Sequence, residues 1–175
     1  MNKNFKEYLP HIKAFAFDVD GVLSANCIPL YPNGEPMRMA NLKDGYVLQL
    51  AIKLGYPIAI ITGGKTAAVR TRFEGLGIQD IYLGSSIKTI DFEHFIAKHG
   101  LHPTDVLYMG DDMPDLPVMK LVGVPTCPSD AAAEIKAISC YVSNYRGGEG
   151  CVRDVIEQVL KAQNKWLTDE HAFGW

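Results

Sequence analysis

Two carboxylates two residues apart, Asp18 and Asp20, follow the apolar run Phe15-Ala16-Phe17 and precede Gly21. A buried strand that ends in paired acids concentrates negative charge where desolvation makes it costly. A divalent cation offsets that repulsion, and ligands that are all oxygen suit magnesium better than zinc or copper. The plain alternative for such a segment is an Asp-Gly turn with both carboxylates in water.

Three further segments repeat the pattern of an apolar run followed by polar residues. Ile58-Ala59-Ile60-Ile61 leads into Thr62-Gly63-Gly64-Lys65-Thr66, where a hydroxyl and free backbone N–H groups can hold phosphate oxygens. Gly84-Ser85-Ser86-Ile87-Lys88 brings one ammonium group after the run Ile81–Leu83, to the same edge. Val106–Met109 runs into Gly110-Asp111-Asp112-Met113-Pro114-Asp115, which carries three carboxylates. Singly each has an ordinary reading, since Thr-Gly is a common helix entry and a lone lysine is usually a surface lysine. In series they form a specific combination.

These residues need elements that bring them to one place. Apolar runs at Ala14–Phe17, Ile58–Ile61, Ile81–Leu83, Val106–Met109 and Val122–Val124 alternate with stretches of helical periodicity. That alternation predicts an α/β fold with a parallel sheet and crossover helices. Helices are expected over 67–76, with Ala68, Phe73 and Leu76 on one face and Gly77 as the stop, and over about 88–99, 131–138 and 152–162. Ligands gather outside the carboxyl ends of such strands, where the polar segments lie. Pro29, Pro32, Asn33, Gly34 and Pro36 predict a small β-hairpin flap over 24–40, turning at Asn33-Gly34. The stretch from Asp20 to Thr62 is too short for a separate cap, so a single domain over 1–175 is expected.

Bulk composition narrows the function classes. Hydrophobic residues make up 47% and charged residues 21%, ordinary for a globular chain. A net charge of -3 gives no general attraction to nucleic acid or to an anionic membrane. No run approaches the roughly 18 apolar residues of a membrane span, and the first residues lack a signal-type apolar run, so a cytoplasmic location is expected. Cys27, Cys127, Cys140 and Cys151 are too widely spaced for a zinc site or a disulfide framework and read as reduced thiols.

The order of acid, hydroxyl, lysine and acid loops resembles the haloacid dehalogenase superfamily, whose four motifs match Asp18-x-Asp20, Thr62, Lys88 and Gly110-Asp111-Asp112-x-x-Asp115. The resemblance covers nearly the whole chain. It implies a Rossmann-like fold, with a parallel sheet flanked by helices, and a magnesium-dependent phosphatase. It further implies that Asp18 attacks phosphorus, and that Asp20 protonates the leaving alkoxide and later activates water. Thr62 and Lys88 would bind the transferring phosphoryl group. Magnesium would be held by the Asp18 carboxylate, the Asp20 main-chain carbonyl and Asp111, with Asp112 or Asp115 orienting ligands or Lys88.

Within the superfamily, the missing cap, Asn41-Leu42-Lys43-Asp44-Gly45, Gly110–Asp115 and Gly147-Gly148-Glu149-Gly150-Cys151-Val152-Arg153 are similar to a capless subfamily. Its members act on an eight-carbon sugar acid phosphate, 3-deoxy-D-manno-octulosonate 8-phosphate. The similarity implies a homotetramer whose flaps form a central barrel, with each active site covered by a neighbour that keeps bulk water out. It implies substrate contacts from Asn41, Leu42, Lys43, Asp44, Gly45, Thr62, Gly63 and Arg72, the last through a guanidinium fork suited to a carboxylate. Periodicity leaves open whether Arg70 or Arg72 faces the site, and Asp44 is also readable as a helix N-cap.

Two positions depart from the subfamily pattern: some members have arginine where this chain has Gly64 and where it has Gln49. Relatives acting on nine-carbon acids carry glutamate at the position of Gly64, so Gly64 favours the eight-carbon substrate. The rivals are a nine-carbon sialic-type acid 9-phosphate phosphatase, a broad sugar phosphatase, a phosphoryl-transferring mutase and a catalytically silent scaffold. A scaffold predicts loss of an essential group, yet Asp18, Asp20, Thr62, Lys88 and Asp111 are all present. The aromatic tail over 166–175 is expected to dock on a neighbouring subunit.

Overall fold

Ala14–Phe17 (β1) is buried along its whole length, and a strand of that kind is covered by helices on both faces. The computed structural model, which describes residues 4–168, 172 and 174, places β1 near the centre of a six-stranded sheet. The other strands are β2 (Ile58–Thr62), β3 (Asp80–Leu83), β4 (Val106–Met109), β5 (Val124–Cys127) and β6 (Tyr141–Val142). Their order is β3-β2-β1-β4-β5-β6, and every pairing is parallel.

The period of two along β1 sends Phe15 and Phe17 to one face and Ala14 and Ala16 to the other. Helices α1 (Phe5–Tyr8), α2 (Leu42–Lys53), α3 (Ala67–Glu74) and α7 (Cys151–Ala162) pack on the phenylalanine face. Helices α4 (Lys88–His99), α5 (Leu116–Met119) and α6 (Ala133–Ile138) cover the alanine face, where the small residues leave room for Phe92 and Phe95. This is the haloacid dehalogenase fold. Register sets Phe17 beside Ile60 and Met109, so the polar residues that follow β1, β2 and β4 leave the sheet at one edge.

Several boundaries differ from expectation for local reasons. The fifth strand starts at Val124 rather than Val122, because the chain is still turning at Gly123, whose N–H donates to the Pro103 carbonyl. On α3 the buried residues are Val69 and Phe73, followed by Leu76, while Ala68 is exposed. Spacings of four and three residues put those three side chains on one stripe. The helix stops at Glu74, and Gly77 takes φ +88° beyond it. The two-residue edge strand β6 has no alternation that a sequence pattern could register.

Residues 24–40 carry one antiparallel bridge, Leu30 with Pro36, around Asn33-Gly34, where Gly34 has φ +85°. Of the tail, Trp166 packs against the core with the Arg153 guanidinium 4.9 Å above its ring. Ala172 and Gly174 lie against this chain's own α2, their carbonyls accepting from Tyr46 and Lys53. His171, Phe173 and Trp175 lie outside the described residues, and the expected docking of the tail with them. Among the described residues, no helix is long and apolar enough to cross a membrane, and all four cysteines are free.

Candidate active site

The strand ends converge on a cavity of about 480 Å³ lined by Asp18, Asp20, Thr62, Gly63, Gly64, Ser85, Lys88, Asp111, Asp112 and Asp115. All four predicted motif segments therefore meet. Asp18 leaves β1 with its N–H donating to the Met109 carbonyl, and its Oδ1 accepts from the Val19 N–H at 2.7 Å. Gly21 follows with φ +85°, and a Cβ there would fall 2.0 Å from Asp111 Oδ2. The glycine lets the Asp111 carboxylate lie across the turn beside Asp18.

Lys88 opens α4, is 5% exposed, and sits between two acids. Its Nζ is 2.8 Å from Asp18 Oδ2 and 2.7 Å from Asp115 Oδ1. Burial alone would lower the lysine, but the two carboxylates outweigh it and hold the ammonium charged. Asp115 is fully buried and saturated: Tyr108 Oη also donates to Oδ1, and the Asp111 N–H to Oδ2. Of the two acids left open by sequence, Asp115 is thus the one that orients Lys88.

Ligand atoms of Asp18, Asp111 and Asp115 lie within 4.8 Å of one another. Burial, then the neighbouring acids, pushes Asp18 up to about 7 and Asp111 up to about 8. Three acids facing one ammonium leave an excess of negative charge, and every donor is a hard oxygen. The set fits magnesium. Thr62 is buried at the end of β2, where its Oγ1 accepts from the Gly64 N–H at 3.1 Å.

The predicted substrate residues divide between two places. Asn41, Asp44, Gly45 and Arg72 line a second cavity of about 280 Å³ beneath the flap, largely apolar in its walls. Arg72 lies against Gly45, whose absent Cβ would meet Nη2 at 2.5 Å, whereas Arg70 turns away to the Ile81 carbonyl. Asn41 is the N-cap of α2, its Oδ1 accepting from Lys43 and Asp44 N–H groups, so Asp44 is not the cap. Leu42 and Lys43 are exposed, and Lys43 lines a separate groove with Arg153.

Comparison with known proteins places the chain. The 3-deoxy-D-manno-octulosonate 8-phosphate phosphatase KdsC of Salmonella typhi is 39% identical over 155 residues, covering 89% of this chain and 82% of that protein. The chain belongs to the 3-deoxy-D-manno-octulosonate 8-phosphate phosphatase family. A solved member of that family from Moraxella catarrhalis, in complex with magnesium ion, phosphate ion and KDO, has a TM-score of 0.90 at 34% identity, over 97% of this chain and 98% of its own. The Yersinia pestis member has a TM-score of 0.89 at 33% identity, over 94% of this chain and 89% of its own. No protein-family model matches the chain.

Two polar side chains of this family member's site carry no signal in the sequence. Tyr108 lies inside β4 and looks like core, yet its hydroxyl holds Asp115. Arg38, in the flap, forms a fork with Asp20: Nε to Oδ1 and Nη2 to Oδ2, each 2.7 Å. Met37-Arg38-Met39 carries no motif that would have flagged it.

Proposed function

We propose that the chain is a magnesium-dependent phosphomonoesterase that releases phosphate from 3-deoxy-D-manno-octulosonate 8-phosphate. The observation that carries this reading is the Asp18 carboxylate held 2.8 Å from a buried Lys88 within a cluster of acids. Asp18 attacks phosphorus and forms an aspartyl phosphate. Asp20 gives a proton to the departing sugar oxygen, then takes one from the water that hydrolyses the intermediate. Thr62, Gly63 and Lys88 bind the transferring phosphoryl group. Magnesium, when bound, supplies positive charge for the transferring oxygens, and Asp18, Asp111 and the Asp20 main-chain carbonyl are its ligands.

Asn41, Asp44, Gly45 and Arg72 take the sugar acid from the flap cavity they line. Leu42 and Lys43 face outward, and we assign them to the subunit interface. A homotetramer is supported by the flap, where Leu30, Tyr31, Met37 and Met39 are exposed together. Four free thiols suit a reducing cytoplasm.

Steady-state phosphate release from a panel of esters tests the reading: octulosonate 8-phosphate, a nine-carbon sugar acid 9-phosphate, and simple sugar phosphates. The octulosonate ester should give the highest kcat/KM, and Asp18→Asn should abolish turnover with the fold intact. A higher kcat/KM on the nine-carbon ester, or near-normal activity in Asp18→Asn, would sink it.

A further inference from the structure

One pair of side chains links the linings of the two cavities. Asp20 lines the acidic cavity, Arg38 lines the flap cavity, and the fork between them joins the two walls. Arg38 is further tethered through Nη1 to Thr66 Oγ1 at 3.1 Å, and its side chain is 12% exposed. Phosphoryl ligands lie on one side of this pair, and the residues suited to a sugar acid on the other.

The fork conflicts with the role of Asp20. Its two oxygens accept two guanidinium N–H bonds in one plane, the strongest geometry open to this pair. An oxygen engaged in that way cannot also present a proton along the same direction to an ester oxygen. A substrate spanning both cavities must part the pair, and a second carboxylate is the natural replacement partner for the guanidinium.

We propose that Arg38 is a specificity-determining positioning residue that exchanges the Asp20 carboxylate for the carboxylate of the substrate, freeing Asp20 to act. This rests on the reading of the chain as a sugar acid phosphatase. Once freed, Asp20 takes a proton from solvent and passes it to the ester oxygen. The P–O bond to the sugar breaks, the bond from Asp18 to phosphorus forms, and the sugar leaves as a neutral alcohol. An ester without a carboxylate leaves the fork closed, so it is penalised in kcat as well as in KM.

Gly64 belongs to the same device. A Cβ at Gly64 would come 2.8 Å from Arg38 Nη2, the nitrogen that bonds Asp20 Oδ2, so a side chain at this position forces that arm of the fork to shift. Gly64 therefore makes room for the fork as well as for the substrate.

The test measures kcat and KM for octulosonate 8-phosphate and for a hexose 6-phosphate that lacks a carboxylate, in the wild-type enzyme, Arg38→Gln and Gly64→Ala. The ratio of the two kcat values should fall by about tenfold or more in both variants, the size expected when a charge-assisted hydrogen-bond pair is lost. Gly64→Ala keeps every polar group and crowds Arg38 Nη2 while meeting Thr62 Oγ1 at an ordinary contact distance of 3.4 Å, so it reports the fork if Arg38→Gln fails to fold. A kcat ratio within about twofold of wild type in Gly64→Ala, or in a folded Arg38→Gln, overturns the proposal whatever the absolute rates. Wild-type enzyme inert towards the octulosonate ester would instead overturn the proposed function, and the exchange with it.

Discussion

The Asp44 carboxylate accepts a 2.7 Å hydrogen bond from the backbone N–H of Arg153, which ties the first turn of α2 to the first turn of α7. Its other oxygen, Oδ2, is buried without a hydrogen-bond partner. Burial pushes Asp44 from the ordinary 3.8 up to about 6, against the hydrogen bond and charge of Arg153. A raised acid favours the folded state in its protonated form. The stability it confers is full below about pH 4 and is lost as the pH rises through 6. Chemical denaturation of wild type and Asp44→Asn should therefore give a stability difference that moves in favour of the variant, by about 2–3 kcal/mol, between pH 4 and pH 7.5. A difference that stays flat with pH would refute the burial argument.

Lys88 is the only cation within ion-pair distance of Asp18 or Asp115 among the described residues. Lys88→Met leaves buried acids uncompensated, and about 3–5 kcal/mol of stability should be lost in magnesium-free buffer. Millimolar magnesium should recover part of that loss, because a cation bound by the acids takes over the charge balance. Urea titrations with and without the ion check this, and equal losses in both buffers would contradict the assigned metal site.

Gly21→Ala brings a methyl group against Asp111 Oδ2 in a backbone conformation that disfavours side chains. Stability should drop by about 1–3 kcal/mol from backbone strain. Turnover should fall by about a hundredfold as Asp111 is displaced, and added magnesium should restore little of it. Rates near wild type would show that the Asp111 position is not needed.

The flap's apolar residues predict assembly. Multi-angle light scattering should give a mass about four times the chain's 19.3 kDa, the value expected of a closed tetramer. Substituting Met39, 79% exposed, with glutamate should shift that mass downward and lower activity together. A fully active monomer would remove the case for a neighbour covering the site.

The strands and the four motif segments are legible in the sequence because each motif follows an apolar run, and burial on both faces leaves such runs no polar alternation. Lys88 and Asp115 are read as polar residues after a strand, yet only packing reveals that each is buried against the other. Arg38 is illegible for a different reason: it reaches Asp20 across a flap whose path is set by turns, not periodicity. Ala68 illustrates the limit of a short apolar pattern, since a shift of one residue moves the buried stripe to Val69. The split of Asn41–Gly45 between inward and outward residues follows from helix geometry once Asn41 is the cap.

The position of β1 also affects how the chain is made. The strand that leads into Asp18 precedes both its neighbours in the chain, and the register of Ala14 with Val106 forms only after the chain through Val106 has left the ribosome. Until β2 emerges that strand has two open edges, and until α4 emerges the acids beyond it have no lysine to face; the edge that β4 covers stays open longest. Commitment to the native sheet waits for β4, and the same long-range parallel pairing makes refolding slow.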